Sequence, residues 1–383
     1  MKREGLRVAM IIQRYSPHIG GAERQLASIA PRLIEKGVDI HILTRRYTTL
    51  PSFERIQNIP VYRLPAYGPK PIASLMFTST AVPLLHRLQP DVIHAHDILS
   101  PTTTAAIAKG LFGTPIVTKV LLGGMEQGEL TRLMKKPFGK TRMAIFRKEV
   151  DAFITISHEI DHELTQAGIP SQNRYYIPNG VDTIRFTPIT LEERKVLRRQ
   201  LSLPDVPIAV FAGRLEQQKR VDHLVAAWPP VRAKIPDALL LIAGTGSQEK
   251  ALQSLASDGI QFLGSVKDML PYLQSADLFV LPSAAEGLSN ALLEALACGL
   301  PAIATCVGGN PEVVIPNETG LLVPPDDLPA LQEALISLLG NPTQCLYLGL
   351  QGREHVVRNY DLNLTVEKLL TLYQTIHRKG EKP

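Results

Sequence analysis

The stretch Ala276–Thr305, ADLFVLPSAAEGLSNALLEALACGLPAIAT, decides the fold. DLFVLPS is an apolar run of strand length. NALLEALACG carries apolar residues three and four apart, with Ser289 or Asn290 at its start and Gly299 at its end, as an amphipathic helix requires. PAIAT is a second strand. Strand, helix and strand in succession form a parallel crossover unit. The Gly-Leu-Ser-Asn turn offers backbone amides and the positive end of a helix dipole, a place for phosphate. Two carboxylates flank it, Glu286 before the helix and Glu294 one turn inside it, with seven residues between them. Such a pair suits acid/base work on a glycosidic bond or the binding of hydroxyls. Glu294 taken alone reads equally well as an exposed helix residue.

The same alternation extends in both directions. Upstream, LRVAMII, VDIHILT, PVYRL, DVIHAH, TPIVTKV and AFITIS are strand-like, RYYIPN closes the set, and helical patterns such as GAERQLASIAPRLIEKG intervene. A second series runs through PIAVFAGRL, ALLLIAG, IQFLG, LFVLPS, PAIAT and GLLVPP. Strands alternating with helices predict parallel sheets covered on both faces, and two series predict two doubly wound domains. Their join is expected in the proline-punctuated, charged segment Arg185–Asp205. The expected domains are 1–187 and 188–358, followed by a terminal amphipathic helix in 359–383. Ligands of such sheets lie beyond the carboxyl ends of the strands, so the two domains are expected to face a cleft lined by strand-to-helix loops.

Composition limits the function classes. Of 383 residues, 45% are hydrophobic and 20% charged, ordinary for a globular enzyme and unlike a disordered chain. A net charge of +5 permits an anionic ligand or membrane surface without demanding one, and nothing points to nucleic acid. Cys298, Cys306 and Cys345 lack metal-ligand spacing and read as reduced, mostly buried thiols. No apolar run is long enough to span a bilayer. The opening MKREGLRVAMIIQRYSP imitates a signal peptide, but Arg7 interrupts it and no small-residue cleavage site follows. It is expected to be a first buried strand, and the protein cytoplasmic.

Several loops carry candidate chemistry. In YSPHIGGAERQL, Gly20 and Gly21 allow close backbone approach to a ligand before a helix, or form an ordinary turn. IAGTGSQEKAL puts Gly244 and Gly246 after a strand, but Glu249 stands where a dinucleotide fingerprint needs its third glycine, which favours a tight turn. In FAGRLEQQKRVDHL, Arg214 and Lys219 follow a buried strand, where a guanidinium fork and an ammonium can clamp a diphosphate or remain surface cations.

These pieces together resemble the retaining glycosyltransferases of family four (glycosyl transferases group 1), which have the GT-B fold of two Rossmann-like domains. The matching elements are GGAER, DVIHAHD, IPNGVD, FAGRLEQQKRVD, the long segment FLGSVKDMLPYLQSADLFVLPSAAEGLSNALLEALACGLPAIATCVGGNPEVV and the C-terminal helix. They span nearly the whole chain. The resemblance implies that Arg214 and Lys219 hold the donor diphosphate, Glu294 the ribose hydroxyls and Glu286 the hydroxyls of the transferred sugar. Amides around Gly287, Leu288 and Ser289 would orient diphosphate and sugar. The segment from Gly264 to Val266 would meet the nucleobase, and Gly20 and Gly21 would approach the phosphate from the first domain. The implied activity is transfer of a hexose from a UDP- or GDP-sugar to an acceptor hydroxyl with retention, with Glu286, Arg214 and Lys219 as the catalytic set. Polysaccharide or glycolipid synthesis is the implied setting. A donor phosphate oxygen would take the acceptor proton. No cofactor or metal is expected, because no Asp-x-Asp pair of the kind that holds a cation beside a sugar diphosphate occurs. A nucleotide-sugar 2-epimerase or a non-catalytic nucleotide-sugar-binding protein is the alternative.

One departure from the family pattern concerns the reacting carbon. Many members carry a histidine in the loop after the strand matching PIVTKV, and here Leu121 falls at that place. His96, Lys119, Gly123 and Gly124 are the acceptor-side candidates, His96 being equally readable as a packed strand-end residue. Two further expectations concern surfaces. RLMKKPFGKTRMAIFRK, Arg132–Lys148, has seven basic residues and no acidic one, interleaved with Leu133, Met134, Phe138 and Phe146. It suits peripheral contact with anionic lipid beside a lipid-linked acceptor, or a solvated face. The terminal helix carries a stripe of Leu362, Val366, Leu369, Leu370, Tyr373 and Ile376 that must be buried, by resemblance against the first domain.

Overall fold

Apolar runs too short for helices and buried on both faces become parallel strands. The structure, a computed structural model, describes residues 5–17, 20–47, 49–124, 126 and 128–380. Its first sheet contains β1 (Arg7–Ile12), β2 (Asp39–Arg45), β3 (Phe53–Ile56), β4 (Ile59–Leu64), β5 (Val92–His96), β6 (Ile116–Lys119), β7 (Ala152–Thr155) and β8 (Arg174–Tyr176). The spatial order is β3-β4-β2-β1-β5-β6-β7-β8. The second sheet contains β9 (Ile208–Ala212), β10 (Leu239–Ala243), β11 (Ile260–Gly264), β12 (Leu278–Leu281), β13 (Ala302–Thr305) and β14 (Gly320–Val323). Its order is β11-β10-β9-β12-β13-β14, parallel throughout. Each sheet reverses its winding direction once, between β1 and β5 in the first and between β9 and β12 in the second. Those switch points are where doubly wound folds bind ligands.

The sequence reading anticipated every strand except β3. FERI is half exposed and pairs antiparallel with β4 through a two-residue turn at Gln57 and Asn58, both with positive φ. Such turns usually announce themselves with Asn-Gly or Asp-Gly, and Gln-Asn gives a weaker signal.

The chain divides into two compact units, 1–179 with 362–383, and 180–361. The sequence reading set these limits at 187 and 358. The charged segment after 185 is part of the second unit for a physical reason. Its helix Leu191–Gln200 opens on a reciprocal capping box between Thr190 and Glu193. Near the helix end, almost fully buried Arg198 bonds the Ser275 carbonyl, Asp205 and Asp277. A buried guanidinium with all these acceptors fixes the helix to the second sheet rather than leaving it a linker. The C-terminal helix Leu362–Gly380 belongs to the first unit. Leu362, Val366, Leu369, Leu372, Tyr373 and Ile376 enter the same core as Val8, Met10 and Leu26, while Leu370 lies only partly buried at its margin. Among the described residues no helix is long and apolar enough to cross a membrane. Cys298 and Cys345 are buried, whereas Cys306 is exposed.

Candidate functional site

In the second unit, the loops leaving β9 and β12 meet at the switch point. The β9 loop runs through Gly213 and exposed Arg214 into a short turn, Gln217–Lys219. The Lys219 ammonium donates to Glu286 Oε1 at 2.5 Å. Ser283 Oγ donates to the same carboxylate oxygen at 2.6 Å. Glu286 is 5% exposed, so its charge is held by these two donors rather than by bulk solvent. Two hydrogen bonds fasten the two loops together: Ala284 N donates to the Gln218 carbonyl, and the Gln218 side-chain Nε2 to the Ala285 carbonyl. The sequence placed Lys219 and Glu286 in one site with separate tasks. Their direct pairing was not legible there, because 67 residues separate them.

A third loop supports Glu286 from below. Gly308, after β13, has φ +57°, and a Cβ on it would lie 2.2 Å from the Glu286 carbonyl oxygen. Gly309 N donates to the Gly287 carbonyl at 2.7 Å, and Thr305 Oγ1 to the Ser283 carbonyl at 2.6 Å. Ser283, Thr305 and Gly308 were missed as supports, although the Gly-Gly pair after PAIAT signalled a close backbone approach.

Beyond the turn, Ser289 rather than Asn290 caps the helix Asn290–Ala297, accepting from Leu292 N. Leu288 and Ser289 are buried, and Glu294 is half-buried on that helix rather than fully exposed. Burial, then the charge of Glu294, pushes the neighbouring Cys298 thiol up to about 12.

Gly244 and Gly246 have a packing role. A Cβ on Gly244 would lie 1.8 Å from the Gly213 carbonyl oxygen, and one on Gly246 2.3 Å from that of Leu215. The tight turn expected there therefore forms the bed of the Arg214 loop. Ser247, in the same turn, donates to Glu216 from both its amide and its hydroxyl. On the next strand, Gly264 has φ +64° with open space where its Cβ would be, and Val266 is half-exposed. Gly264 thus ends β11, and Arg214, Lys219, Val266, Glu286, Gly287, Leu288, Ser289 and Glu294 follow the carboxyl ends of β9, β11 and β12.

In the first unit, Gly20 caps the helix Gly21–Glu35 in an extended conformation. The nearest atoms that a Cβ on Gly20 would meet belong to the flexible Glu23 side chain, and its φ is negative, so backbone strain does not demand glycine there. His18 and Ile19 of that loop lie outside the described residues. His96 and Lys119 end β5 and β6 and are register partners on these adjacent strands. Lys119 Nζ donates to Asn179 Oδ1 at 2.8 Å. The His96 ring stacks on His94 at 4.1 Å, and His94 Nδ1 meets the Tyr373 hydroxyl at 2.6 Å. Burial, reinforced by the Lys119 charge, holds the His96 imidazole down to about 3.

The Gly123–Gly124 loop is occupied by the protein itself. Gly124 has φ +108° and its amide donates to Glu163 Oε1 at 2.5 Å. Met125 and Gln127 lie outside the described residues. Two buried carboxylates were missed, Asp97 and Glu129. Asp97 has φ +134° and accepts from Gln13 Nε2 and Leu99 N. Glu129 accepts from Ile98 N and Leu121 N, so its carboxyl group anchors the loop that begins at Leu121. Among the described residues no three His, Cys, Asp or Glu side chains gather as a metal site.

Comparison with known proteins identifies the family. Residues 19–185 match the family model Glycosyltransferase Family 4, and residues 206–341 match Glycosyl transferases group 1. A GDP-mannose-dependent monoacylated alpha-(1-6)-phosphatidylinositol monomannoside mannosyltransferase of Corynebacterium glutamicum is 38% identical over 240 residues, 59% of this chain and 63% of the relative. The match thus spans less than two thirds of that relative's own length. Sucrose-phosphate synthase from Thermosynechococcus elongatus superposes with a TM-score of 0.83 at 25% identity, over 98% of this chain and 100% of the other. HepE of Anabaena, solved with UDP-glucose, gives 0.81 at 20% identity, over 97% and 100%. The two units are therefore a Glycosyltransferase Family 4 domain and a Glycosyl transferases group 1 domain, and the chain belongs to the glycosyltransferases of GT-B fold.

Proposed function

We propose that the chain transfers a hexose from a nucleotide diphosphate sugar to an acceptor hydroxyl with retention of anomeric configuration. The Lys219–Glu286 pair at the switch point of the second sheet supports this most. A donor diphosphate competes with Glu286 for the Lys219 ammonium, and the carboxylate so released accepts hydrogen bonds from the sugar hydroxyls. Arg214, Lys219 and the amides around Gly287–Ser289 meet the charge that grows on the departing diphosphate, which is electrostatic preorganisation. Glu294 receives the ribose hydroxyls and the Gly264–Val266 segment the base. The bond from the anomeric carbon to the phosphate oxygen breaks, and the acceptor oxygen bonds that carbon from the same face. The acceptor proton passes to the departing phosphate oxygen. In this scheme no resident metal takes part, so chelation leaves turnover unchanged.

The Corynebacterium relative is named for a phosphatidylinositol mannoside acceptor, which favours a lipid-linked acceptor here. The basic segment fits that setting. Its cations Arg132, Lys135, Lys136, Lys140, Arg147 and Lys148 are exposed, as are Met134 and, at 80%, Phe138. Leu133 and Phe146 instead point into the core.

Incubation with UDP- and GDP-hexoses, followed by product analysis, tests the proposal. Released nucleoside diphosphate with a new glycoside of the donor's configuration is expected. A glycoside of inverted configuration contradicts retention, an epimerised donor indicates the 2-epimerase, and binding without turnover indicates a sugar-nucleotide sensor.

A further inference from the structure

We propose that Lys119 and His96 form a docking point for an oxyanion group, phosphate or carboxylate, carried by the acceptor. Only the word acceptor rests on the transferase reading above. The two residues terminate adjacent parallel strands in register, so their side chains leave the same face of the sheet at its carboxyl edge, beside the switch point. Lys119 is 4% exposed, and among the described residues no carboxylate pairs with it. Among the described residues the one hydrogen-bond partner of its ammonium is Asn179 Oδ1, a neutral oxygen. An ammonium carries three donors. The loop bearing Asn179 is itself fixed, because Thr365 of the C-terminal helix donates to the Pro178 carbonyl at 3.1 Å.

His96 adds the second observation. It is 6% exposed, and among the described residues its enclosed Nε2 has no partner. Stacking on His94, which Tyr373 holds, keeps the ring in place. A buried cation without a counter-ion and, with the imidazole proton on Nε2, a buried ring nitrogen without an acceptor both lack the same thing, a negatively charged oxygen. Burial lowers the Lys119 ammonium to about 8, so it remains largely charged at neutral pH at a cost to the fold. A lysine that served only to clip Asn179 would be poorly placed, since desolvating an unpaired charge costs more than one neutral hydrogen bond returns.

The test is calorimetric titration of the full chain with inorganic phosphate, sodium acetate and nucleoside diphosphate, in wild type, Lys119→Met, His96→Phe and Lys219→Met. Wild type is expected to bind phosphate at two places. Lys119→Met should weaken one of them about ten- to a hundredfold, leave nucleoside diphosphate binding intact and raise the melting temperature. His96→Phe keeps the stacked ring and should weaken the same event, which covers the case of a poorly folding Lys119→Met. The acetate arm separates carboxylate from phosphate as the preferred group. Lys119→Met and His96→Phe both binding phosphate like wild type, or a lowered melting temperature with binding unchanged, would overturn the docking point and leave a structural clip. Failure of wild type to bind nucleoside diphosphate would instead count against the transferase reading.

Discussion

Asp97 and Glu129 carry a pH dependence that the sequence alone does not disclose. Burial, then the Asp97 charge, pushes the Glu129 carboxyl up to about 8. Asp97 is raised less, because Gln13 and the Leu99 amide favour its charged form. Arg45 and Lys136 act on Asp97 and Arg132 on Glu129 from a distance, and Asp97 acts in turn on Arg142. Glu129, and Asp97 over a narrower range up to about 6, therefore keep protons that the unfolded chain has lost, so stability falls as pH rises from about 4 towards about 8. Glu129→Gln keeps an oxygen for the Ile98 and Leu121 amides but cannot ionise. Urea unfolding should find it close to wild type at pH 4.5 and more stable at pH 8, by roughly 1.4 kcal/mol per pH unit within that window. Equal stability of the two proteins at pH 8 contradicts the assignment. The Asp in HAHD and the Glu after QG were plain in the sequence. Their meeting depends on strand order and on where a short helix starts, which no local pattern encodes.

Helices and strands were more legible than the contacts between them. The terminal stripe identified a buried face, and five of its six residues are core, with Leu372 taking the place given to Leu370. Both lie close to the edge of the stripe, where helical periodicity alone discriminates poorly. Tyr373 does more than fill space, since it fixes His94 behind the proposed docking point. Removing the chain from Asp361 onward should expose the first unit's core at Val8, Met10 and Leu26 and destabilise that unit, while the second keeps its sheet. Hydrogen exchange resolves the two: protection lost in β1 and β5 but kept in β9 and β12 is expected. Unchanged protection throughout the first unit would show that the helix is a dispensable tail. β3 escaped notice for the opposite reason, having neither an apolar run nor a strong turn signal.

At the scale of the whole molecule, two doubly wound sheets were readable because parallel strands buried on both faces leave unbroken apolar runs. The Lys219–Glu286 pair was not, because it joins side chains from two loops that only the sheet order brings together. The proposed contact with anionic lipid belongs to this scale also. Sedimentation with anionic vesicles should capture the protein at low salt and release it at high salt, and neutral vesicles should not capture it. Equal capture by both would rule out the basic segment as the reason.

In the proposed exchange, Lys219 passes from Glu286 to the donor diphosphate while Glu286 turns to the sugar. Calorimetry of Glu286→Gln with bare nucleoside diphosphate and with intact donor, alongside turnover, tests it most directly. Removing the competing carboxylate should leave the bare diphosphate bound as tightly as in wild type, or more tightly. Turnover should fall about ten- to a hundredfold as the sugar loses a charged hydrogen bond. If Glu286→Gln weakens the bare diphosphate as much as Lys219→Met does, the two residues act as one fixed unit and the exchange proposed here does not occur.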